Sequence, residues 1–132
     1  MKRLMIIDSD LNQLRLLKDA LKDEYLILGC SRGTNALALF DDFQPSAVVL
    51  DPRAHDLNGR EFIRKIKSLP LRRDIPILAL CHITSLRQIE ESFNWGADMI
   101  FSKPCSPERI QQKLNRLFVR SKPVQELELS GV

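Results

Sequence analysis

The sequence predicts an α/β fold in which helices cover both faces of a parallel β-sheet. Short apolar runs alternate with segments of helical periodicity about five times along the 132 residues, and this alternation is typical of a parallel sheet. The apolar runs are continuous, which indicates strands that are buried on both faces. Right-handed crossover connections then fix most of the topology.

The first half of the chain supplies three strands and two helices. Residues 4–7 form a buried apolar run, and leucines then recur at helical spacing through about residues 12–24. Residues 25–30 form the second strand, and Thr34 is the predicted N-cap of the second helix. Residues 47–50 form the third strand.

The second half continues the same alternation. Apolar residues at helical spacing around residues 62–66 predict a third helix, and residues 75–80 form a fourth strand. A fourth helix ends at Gly96, because glycine favours helix termini. A short fifth strand at residues 99–101 and a last helix at residues 110–118 complete the pattern.

Length and composition favour a soluble protein with a single core. The chain has 44% hydrophobic and 28% charged residues, which is ordinary for a globular domain. No apolar run has the length of a membrane span and no signal peptide is evident, so we expect a cytoplasmic protein with no membrane partner. Three widely spaced cysteines, Cys30, Cys81 and Cys105, favour reduced structural thiols.

One acid follows the third strand and is the candidate reactive residue. Residues 47–50 are aliphatic, lie between Pro45 and Pro52, and run directly into Asp51. Open α/β sheets place their ligands at the carboxyl ends of the strands. The position of Asp51 therefore favours a functional role.

Other polar residues are predicted to lie near this acid, since parallel strands share one carboxyl edge. The first strand ends at Asp8, Ser9 and Asp10. The fourth strand ends at Cys81, and the fifth runs into Lys103. Crowded carboxylates repel each other unless a lysine or a divalent cation compensates, and Mg²⁺ prefers one or two carboxylates with phosphate oxygens. A carboxylate nucleophile, Mg²⁺ and a lysine are the groups that phosphoryl transfer needs.

At these residues the chain resembles a response-regulator (CheY-like) receiver domain. The resemblance covers roughly residues 2–120, and it implies a doubly wound, five-stranded parallel sheet in flavodoxin-like order. It further implies a cis peptide bond before Pro104. We expect the receiver domain to span residues 1–121, with a tail or linker over residues 122–132, because chain ends usually fray. The matched motifs are residues 6–10, 48–51, 57–59, 75–80, 96–98 and 103–104.

The resemblance also implies a role for each site residue. Asp51 would accept a phosphoryl group from a histidine kinase or phosphotransfer protein of a two-component phosphorelay, and Lys103 would contact the phosphoryl oxygens. Asp8 would bind Mg²⁺ together with Asp51 and the backbone carbonyl of Arg53. Cys81 would occupy the position of the hydroxyl residue that moves to the phosphoryl group on activation.

The chain departs from the family pattern at five positions, Ser9, His55, Cys81, His82 and Ile100, and the changes at Ser9, Cys81 and Ile100 bear most on function. Ser9 stands where the family has a second metal-binding acid, so we expect weak Mg²⁺ binding, with Ser9 itself and Asp10 as further candidate ligands. Cys81 offers only a weakly donating thiol. Ile100 stands at the position of the switch aromatic residue and cannot make an aromatic rotamer change.

Two interpretations follow, because some site residues match the family pattern and others depart from it. In the first, which we favour, phosphorylation of Asp51 changes the surface of the fourth helix, fifth strand and last helix, and a downstream protein partner binds there. In the second, the chain is a pseudo-receiver, a protein-interaction module that works without phosphorylation. Neither interpretation predicts an enzyme. The resemblance also suggests a homodimer through the surface of the fourth helix, fifth strand and last helix.

Two other classes of function are disfavoured. The Asp8-Ser9-Asp10 segment also resembles the DxD motif of haloacid-dehalogenase-like phosphatases, but those enzymes need further acids on a later strand, and only Glu108 lies between Lys103 and the tail. Basic residues cluster around the third helix without interleaved aromatic residues for base stacking. With a net charge of only +3, we do not expect a nucleic-acid partner.

Overall fold

The computed structural model describes residues 1–68, 70, 72–119 and 125–129. The strands are β1 (Lys2–Ile7), β2 (Tyr25–Cys30), β3 (Ala47–Leu50), β4 (Ile77–Cys81), β5 (Met99–Ser102) and β6 (Glu126–Glu128). The helices are α1 (Leu11–Leu21), α2 (Gly33–Phe43), α3 (Gly59–Ser68), α4 (Leu86–Trp95) and α5 (Pro107–Val119). Strands and helices alternate as predicted.

The six strands form one parallel sheet in the order β2-β1-β3-β4-β5-β6. Because the chain crosses from β2 over β1 to β3, the helices are divided between the two faces of the sheet. The doubly wound α/β fold in flavodoxin-like order is therefore confirmed. The sheet contains six strands rather than the five that the sequence predicted.

The additional strand β6 lies within the segment that was predicted to be a tail or linker. Its three residues pair in parallel with β5, from Met99 opposite Glu126 to Phe101 opposite Glu128. This strand was not predicted, because Glu-Leu-Glu is too short and too polar to resemble a buried strand. The other residues of the predicted tail that lie at 122–124 and 130–132 are outside the described residues.

The core lies on both faces of the central strands. Along β1, Leu4 and Ile6 pack with α1 and α5 on one face, whereas Met5 and Ile7 pack with α2 and α3 on the other. All four side chains are fully buried, and burial of each contributes about 1.5–3 kcal/mol. This double burial explains the continuous apolar runs in the sequence.

Helix termini match the sequence signals with one exception. Asp10 caps α1, Ser85 caps α4, and Gly96 ends α4 at a φ of +115°, which favours glycine. The predicted cap Thr34 is wrong, because α2 begins at Gly33 and its N-cap position is Arg32, two residues before Thr34 and without a side-chain cap. No helix within the described ranges is long and apolar enough to cross a membrane.

Candidate functional site

The carboxyl ends of β1, β3 and β5 bring Asp8, Asp51 and Lys103 together. Ile7 pairs with Leu50 in the sheet, so the two aspartates follow neighbouring strands. Nζ of Lys103 lies 2.9 Å from Oδ2 of Asp51 and 2.8 Å from Oδ2 of Asp8. One ammonium group therefore bridges two carboxylates, and three of the predicted site residues share one site.

The three side chains differ in their access to solvent. The side chains of Asp8 and Lys103 are 4% and 5% exposed, whereas that of Asp51 is 14% exposed. Oδ1 of Asp51 accepts a hydrogen bond from the backbone N–H of Arg53 at 2.8 Å. Asp51 is thus the more exposed of the two carboxylates.

Burial and ion pairing set the charges in this group. Burial raises the pKa of Asp8, while Lys103 and the backbone N–H of Asp10 lower it by smaller amounts. Burial alone would lower the pKa of Lys103, but its contacts with Asp51 and Asp8 outweigh that effect and raise the pKa above the ordinary lysine value. Lys103 therefore remains a cation at neutral pH.

The Ser9 hydroxyl is engaged by backbone groups of two neighbouring loops. It donates to the carbonyl of Ser31 at 2.7 Å and accepts from the backbone N–H of His55, also at 2.7 Å. A serine hydroxyl has one proton to donate, and this one is committed to Ser31. The Ser9 side chain therefore joins the loops after β1, β2 and β3, a role that the sequence did not reveal.

Further contacts strengthen the connection between the loops after β2 and β3. The backbone N–H of Gly33 donates to the carbonyl of His55 at 2.8 Å, and Arg32 forms an ion pair with Asp56. A Cβ atom on Gly33 would lie 2.3 Å from the carbonyl oxygen of Asp56. Glycine is therefore required for this close approach of the two backbones.

Asp10 does not replace the missing acid either. Its carboxylate accepts hydrogen bonds from the backbone N–H groups of Asn12 and Gln13 at the first turn of α1. This N-cap role satisfies helix donors that have no partner within the helix. The side chains of both additional candidate ligands, Ser9 and Asp10, are thus already engaged by backbone groups.

The remaining residues fit a magnesium ion with a small ligand set. Within the described residues, no three His, Cys, Asp or Glu side chains form a group that could hold a metal ion. Asp8 and Asp51 provide two carboxylates, the number with which Mg²⁺ is commonly bound when phosphate oxygens complete its shell. Oδ2 of Asp8 is buried and lies 2.8 Å from Nζ of Lys103. Because a carboxylate oxygen accepts more than one contact, this oxygen retains capacity to bind a cation.

Comparison with known sequences assigns the chain to a family. A family model described as the response regulator receiver domain matches residues 4–115, which is most of the chain. The chain belongs to the response regulator receiver family. Receiver domains of this family act in two-component signalling and are generally not enzymes.

Curated relatives of the receiver domain are longer proteins. Response regulator MprA of Mycobacterium avium (strain 104) is 28% identical over 131 residues, covering 96% of this chain and 55% of that protein. Response regulator MprA of Mycobacterium sp. (strain KMS) is 30% identical over 126 residues, covering 92% of this chain and 52% of that protein. The chain spans about half the length of these relatives.

Solved structures with the same fold include a longer chain and a chain of similar length. Response regulator DrrB, a Thermotoga maritima OmpR/PhoB homologue, has a TM-score of 0.81 and 25% identity, covering 93% of this chain and 55% of that chain. The chemotaxis response regulator CheY4 of Vibrio cholerae has a TM-score of 0.79 and 24% identity, covering 89% of this chain and 98% of that chain. At this identity the likeness to CheY4 shows the fold alone.

The receiver's Cys81 is a buried, protonated thiol at the end of β4. Burial, together with the charge of Asp51, raises its pKa from 9.0 to about 11. The structure therefore places a weak donor at the edge that carries the phosphoacceptor candidate.

We expect Cys81 to resist alkylation at pH 8. A rise in pKa of two units lowers the thiolate fraction about a hundredfold, and burial limits access further. Treatment of the folded chain with iodoacetamide, followed by peptide mass analysis, should leave Cys81 unmodified, whereas the chain in urea should be modified at all three cysteines. Equal rates in the two conditions would contradict the buried position.

The fifth strand of the receiver carries two features that the sequence predicted. Ile100 is buried in a small apolar cluster with Ala79, Cys81 and Ala97, against which Phe93 also packs. The peptide bond between Lys103 and Pro104 is cis.

A groove lies beside the phosphoacceptor candidate, between the loop after β3 and α4. It has a volume of about 320 Å³. The groove is lined by Pro52, Arg53, Arg87, Glu91 and Trp95, with three smaller polar side chains. Because Trp95 is the single tryptophan of the chain, its fluorescence reports on events next to Asp51.

Proposed function

We propose that this receiver accepts a phosphoryl group on Asp51 from a phosphohistidine of a histidine kinase or phosphotransfer protein. A carboxylate oxygen of Asp51 attacks phosphorus as the bond between phosphorus and the histidine nitrogen breaks, and the imidazole leaves and takes up a proton. The observation that carries the proposal is the position of the Lys103 ammonium group, 2.9 Å from Asp51. Asp51 is the more exposed of the two carboxylates that this group contacts.

Each neighbour of Asp51 has a separate task in this proposal. Lys103 provides a fixed positive charge for the phosphoryl oxygens, and its burial makes that charge effective. The N–H of Arg53 holds one oxygen of Asp51 in place. Asp8 holds the lysine from the other side at 2.8 Å, so that the ammonium group stays at the edge of the sheet.

Mg²⁺ would supply a second positive charge against the phosphoryl oxygens. Asp8, Asp51 and the carbonyl of Arg53 would hold it. Since Ser9 and Asp10 are committed to other contacts, the site contributes two acids and binds the ion weakly.

The alternative proposal is a pseudo-receiver that acts as a protein-interaction module. Specific observations support it: the Ser9 hydroxyl is occupied by loop contacts, Cys81 is a protonated thiol, and Ile100 is held in a small apolar cluster. In that case the Asp8–Lys103–Asp51 group would serve stability rather than phosphorylation.

A beryllofluoride titration distinguishes the two proposals. Beryllofluoride mimics a phosphoryl group on a carboxylate, and Trp95 lies in the groove beside the acceptor. A working receiver should show a saturable change of Trp95 fluorescence that requires Mg²⁺ and disappears in Asp51→Asn. A pseudo-receiver should show no Mg²⁺-dependent change of Trp95 fluorescence at beryllofluoride concentrations that saturate an ordinary receiver.

Ser9→Asp should raise Mg²⁺ affinity by at least about tenfold, because a third carboxylate adds charge to the site. The same change removes the bonds to Ser31 and His55, so we also expect a loss of stability of about 1 kcal/mol. Trp95 fluorescence measures the affinity and urea unfolding measures the stability. Ser9→Ala is the control. Its free energy of unfolding should fall by a similar amount, whereas its Mg²⁺ affinity should not rise above that of the unsubstituted chain.

We further propose that the output is contact with a downstream protein. The chain spans about half of its curated relatives, so the whole protein's partners are inferred from the family alone. The proposed contact surface consists of α4, β5 and α5, and a homodimer through that surface is one form that the contact would take.

A further inference from the structure

The outer edge of β5 is covered by the chain's own residues 125–129. Strand β6 pairs with β5, with Leu127 opposite Ile100, and the N–H of Glu126 donates to the carbonyl of Asp98 at 3.0 Å. Without β6, β5 would be the edge of the sheet. An open edge presents backbone donors and acceptors to which another extended chain binds.

The acidic side chains of this segment pair with a row of cations on α5. One carboxylate oxygen of Glu126, Oε2, lies 3.2 Å from Nζ of Lys113 and 3.4 Å from a guanidinium nitrogen of Arg116. Glu128 accepts from Nε of Arg109 at 3.1 Å. The three cations are spaced by four and three residues, which places them on one helix face; we call them the basic stripe.

The same segment also contacts α4. Nε2 of Gln125 donates to the carbonyl of Phe93 at 2.7 Å and to that of Ala97 at 3.0 Å, at the C-terminal end of the helix. Successive side chains of the segment, Gln125 and Glu126, therefore point in opposite directions, as expected for a strand. The segment spans from α4 across β5 to α5.

These contacts hold the segment only weakly. The strand has three residues, and Leu127 and Leu129 are 39% and 41% exposed. Partly exposed ion pairs contribute little and are screened by salt. One carboxylate oxygen of Glu128 is buried without a hydrogen bond among the described residues. We therefore expect a competing strand to displace residues 125–129 from β5.

We propose that the β5 edge and the basic stripe form a binding site for an extended acidic strand, and that residues 125–129 occupy it in cis. The ligand class is a peptide in β conformation with two glutamates two residues apart, which pairs with β5 and places both carboxylates on the basic stripe. A protein that binds this face through α4, β5 and α5 must first displace the chain's own segment. This inference does not depend on phosphorylation of Asp51.

Amide hydrogen exchange of β5 in the full chain tests the proposal. In Glu126→Lys/Glu128→Lys the basic stripe repels the segment, and exchange over residues 99–101 should accelerate about tenfold. The neutral variant Glu126→Gln/Glu128→Gln should show a smaller acceleration in the same amides. Asp23→Lys/Glu90→Lys makes the same change of net charge at exposed positions and should leave exchange of β5 unchanged.

A charge swap tests the pairing itself. Adding Arg109→Glu/Lys113→Glu to Glu126→Lys/Glu128→Lys restores opposite charges and should restore protection of β5. A synthetic peptide with the sequence of residues 122–132 should also restore protection when added to Glu126→Lys/Glu128→Lys at low salt, and its glutamine-substituted form should not.

Two results would overturn the proposal. Unchanged exchange of β5 in both the lysine and the glutamine variants would show that the segment does not cover the edge. Protection of β5 in the unsubstituted chain that rises with protein concentration, alongside dimer formation in sedimentation, would show that a second copy fills the edge instead of the chain's own segment.

Discussion

Lys103→Met is expected to lower the free energy of unfolding by about 3 kcal/mol at neutral pH. The ammonium group bridges Asp8 and Asp51 at 2.8 and 2.9 Å, and its removal leaves the Asp8 carboxylate buried without an opposite charge. Loss of one partner from a buried ion pair costs more than the pair itself contributes. Urea unfolding followed by circular dichroism measures the change.

The loss should depend on pH in a defined direction. Burial already raises the pKa of Asp8 above 3.8, and removal of Lys103 raises it further. A group whose pKa is higher in the folded state binds its proton more tightly there, so stability falls as pH rises from the unfolded value through the folded one. The deficit of Lys103→Met should therefore be smallest in acid, grow above about pH 4, and be complete at neutral pH.

Two further variants separate this effect from a general loss of charge. Asp8→Asn combined with Lys103→Met removes the unpaired carboxylate and should recover part of the stability. Arg87→Met breaks the exposed pair with Glu91 and should change stability by less than about 0.5 kcal/mol. A pH-independent loss in Lys103→Met would contradict the assigned burial of Asp8.

Gly33→Ala is expected to lower stability by about 2 kcal/mol, because the added methyl group collides with backbone atoms. The new Cβ would lie 2.3 Å from the carbonyl oxygen of Asp56 and 2.5 Å from Cα of Leu57. Neither atom moves without moving the loop after β3, which also accepts the hydrogen bond from Gly33 and donates to Ser9.

Gly59→Ala is the matched control for this prediction. A Cβ at Gly59 would meet Pro52 and Trp95 at 3.4 Å, so the same chemical change fits there within a small adjustment. We expect its stability to stay within about 1 kcal/mol of the unsubstituted chain. Equal unfolding midpoints for Gly33→Ala and Gly59→Ala would show that the two loops are not in close contact.

The fold was predictable because the signals for its main elements are local. Continuous apolar runs marked β1 to β5, and the helical spacing of leucine, phenylalanine and isoleucine marked the helices between them. Strand β6 was not predictable, since its pairing depends on contacts with α5 and α4 rather than on its own three residues.

The placement of the site residues was predictable only in part. Parallel strands necessarily bring Asp8, Asp51 and Lys103 to one edge, and the structure places them there. The orientation of Ser9 depends on a carbonyl and an amide that are 22 and 46 residues away along the chain. No local pattern encodes that choice, which engages the Ser9 hydroxyl in contacts between loops.

The most direct test of the proposed function is the intact mass of the chain after incubation with a small-molecule phosphoryl donor such as acetyl phosphate. The measurement compares the unsubstituted chain with Asp51→Asn, each with Mg²⁺ and with a chelator. We expect one phosphoryl adduct that requires Mg²⁺ and is absent from Asp51→Asn. No adduct under conditions that label an ordinary receiver, or an adduct that persists in Asp51→Asn, would contradict phosphorylation of Asp51.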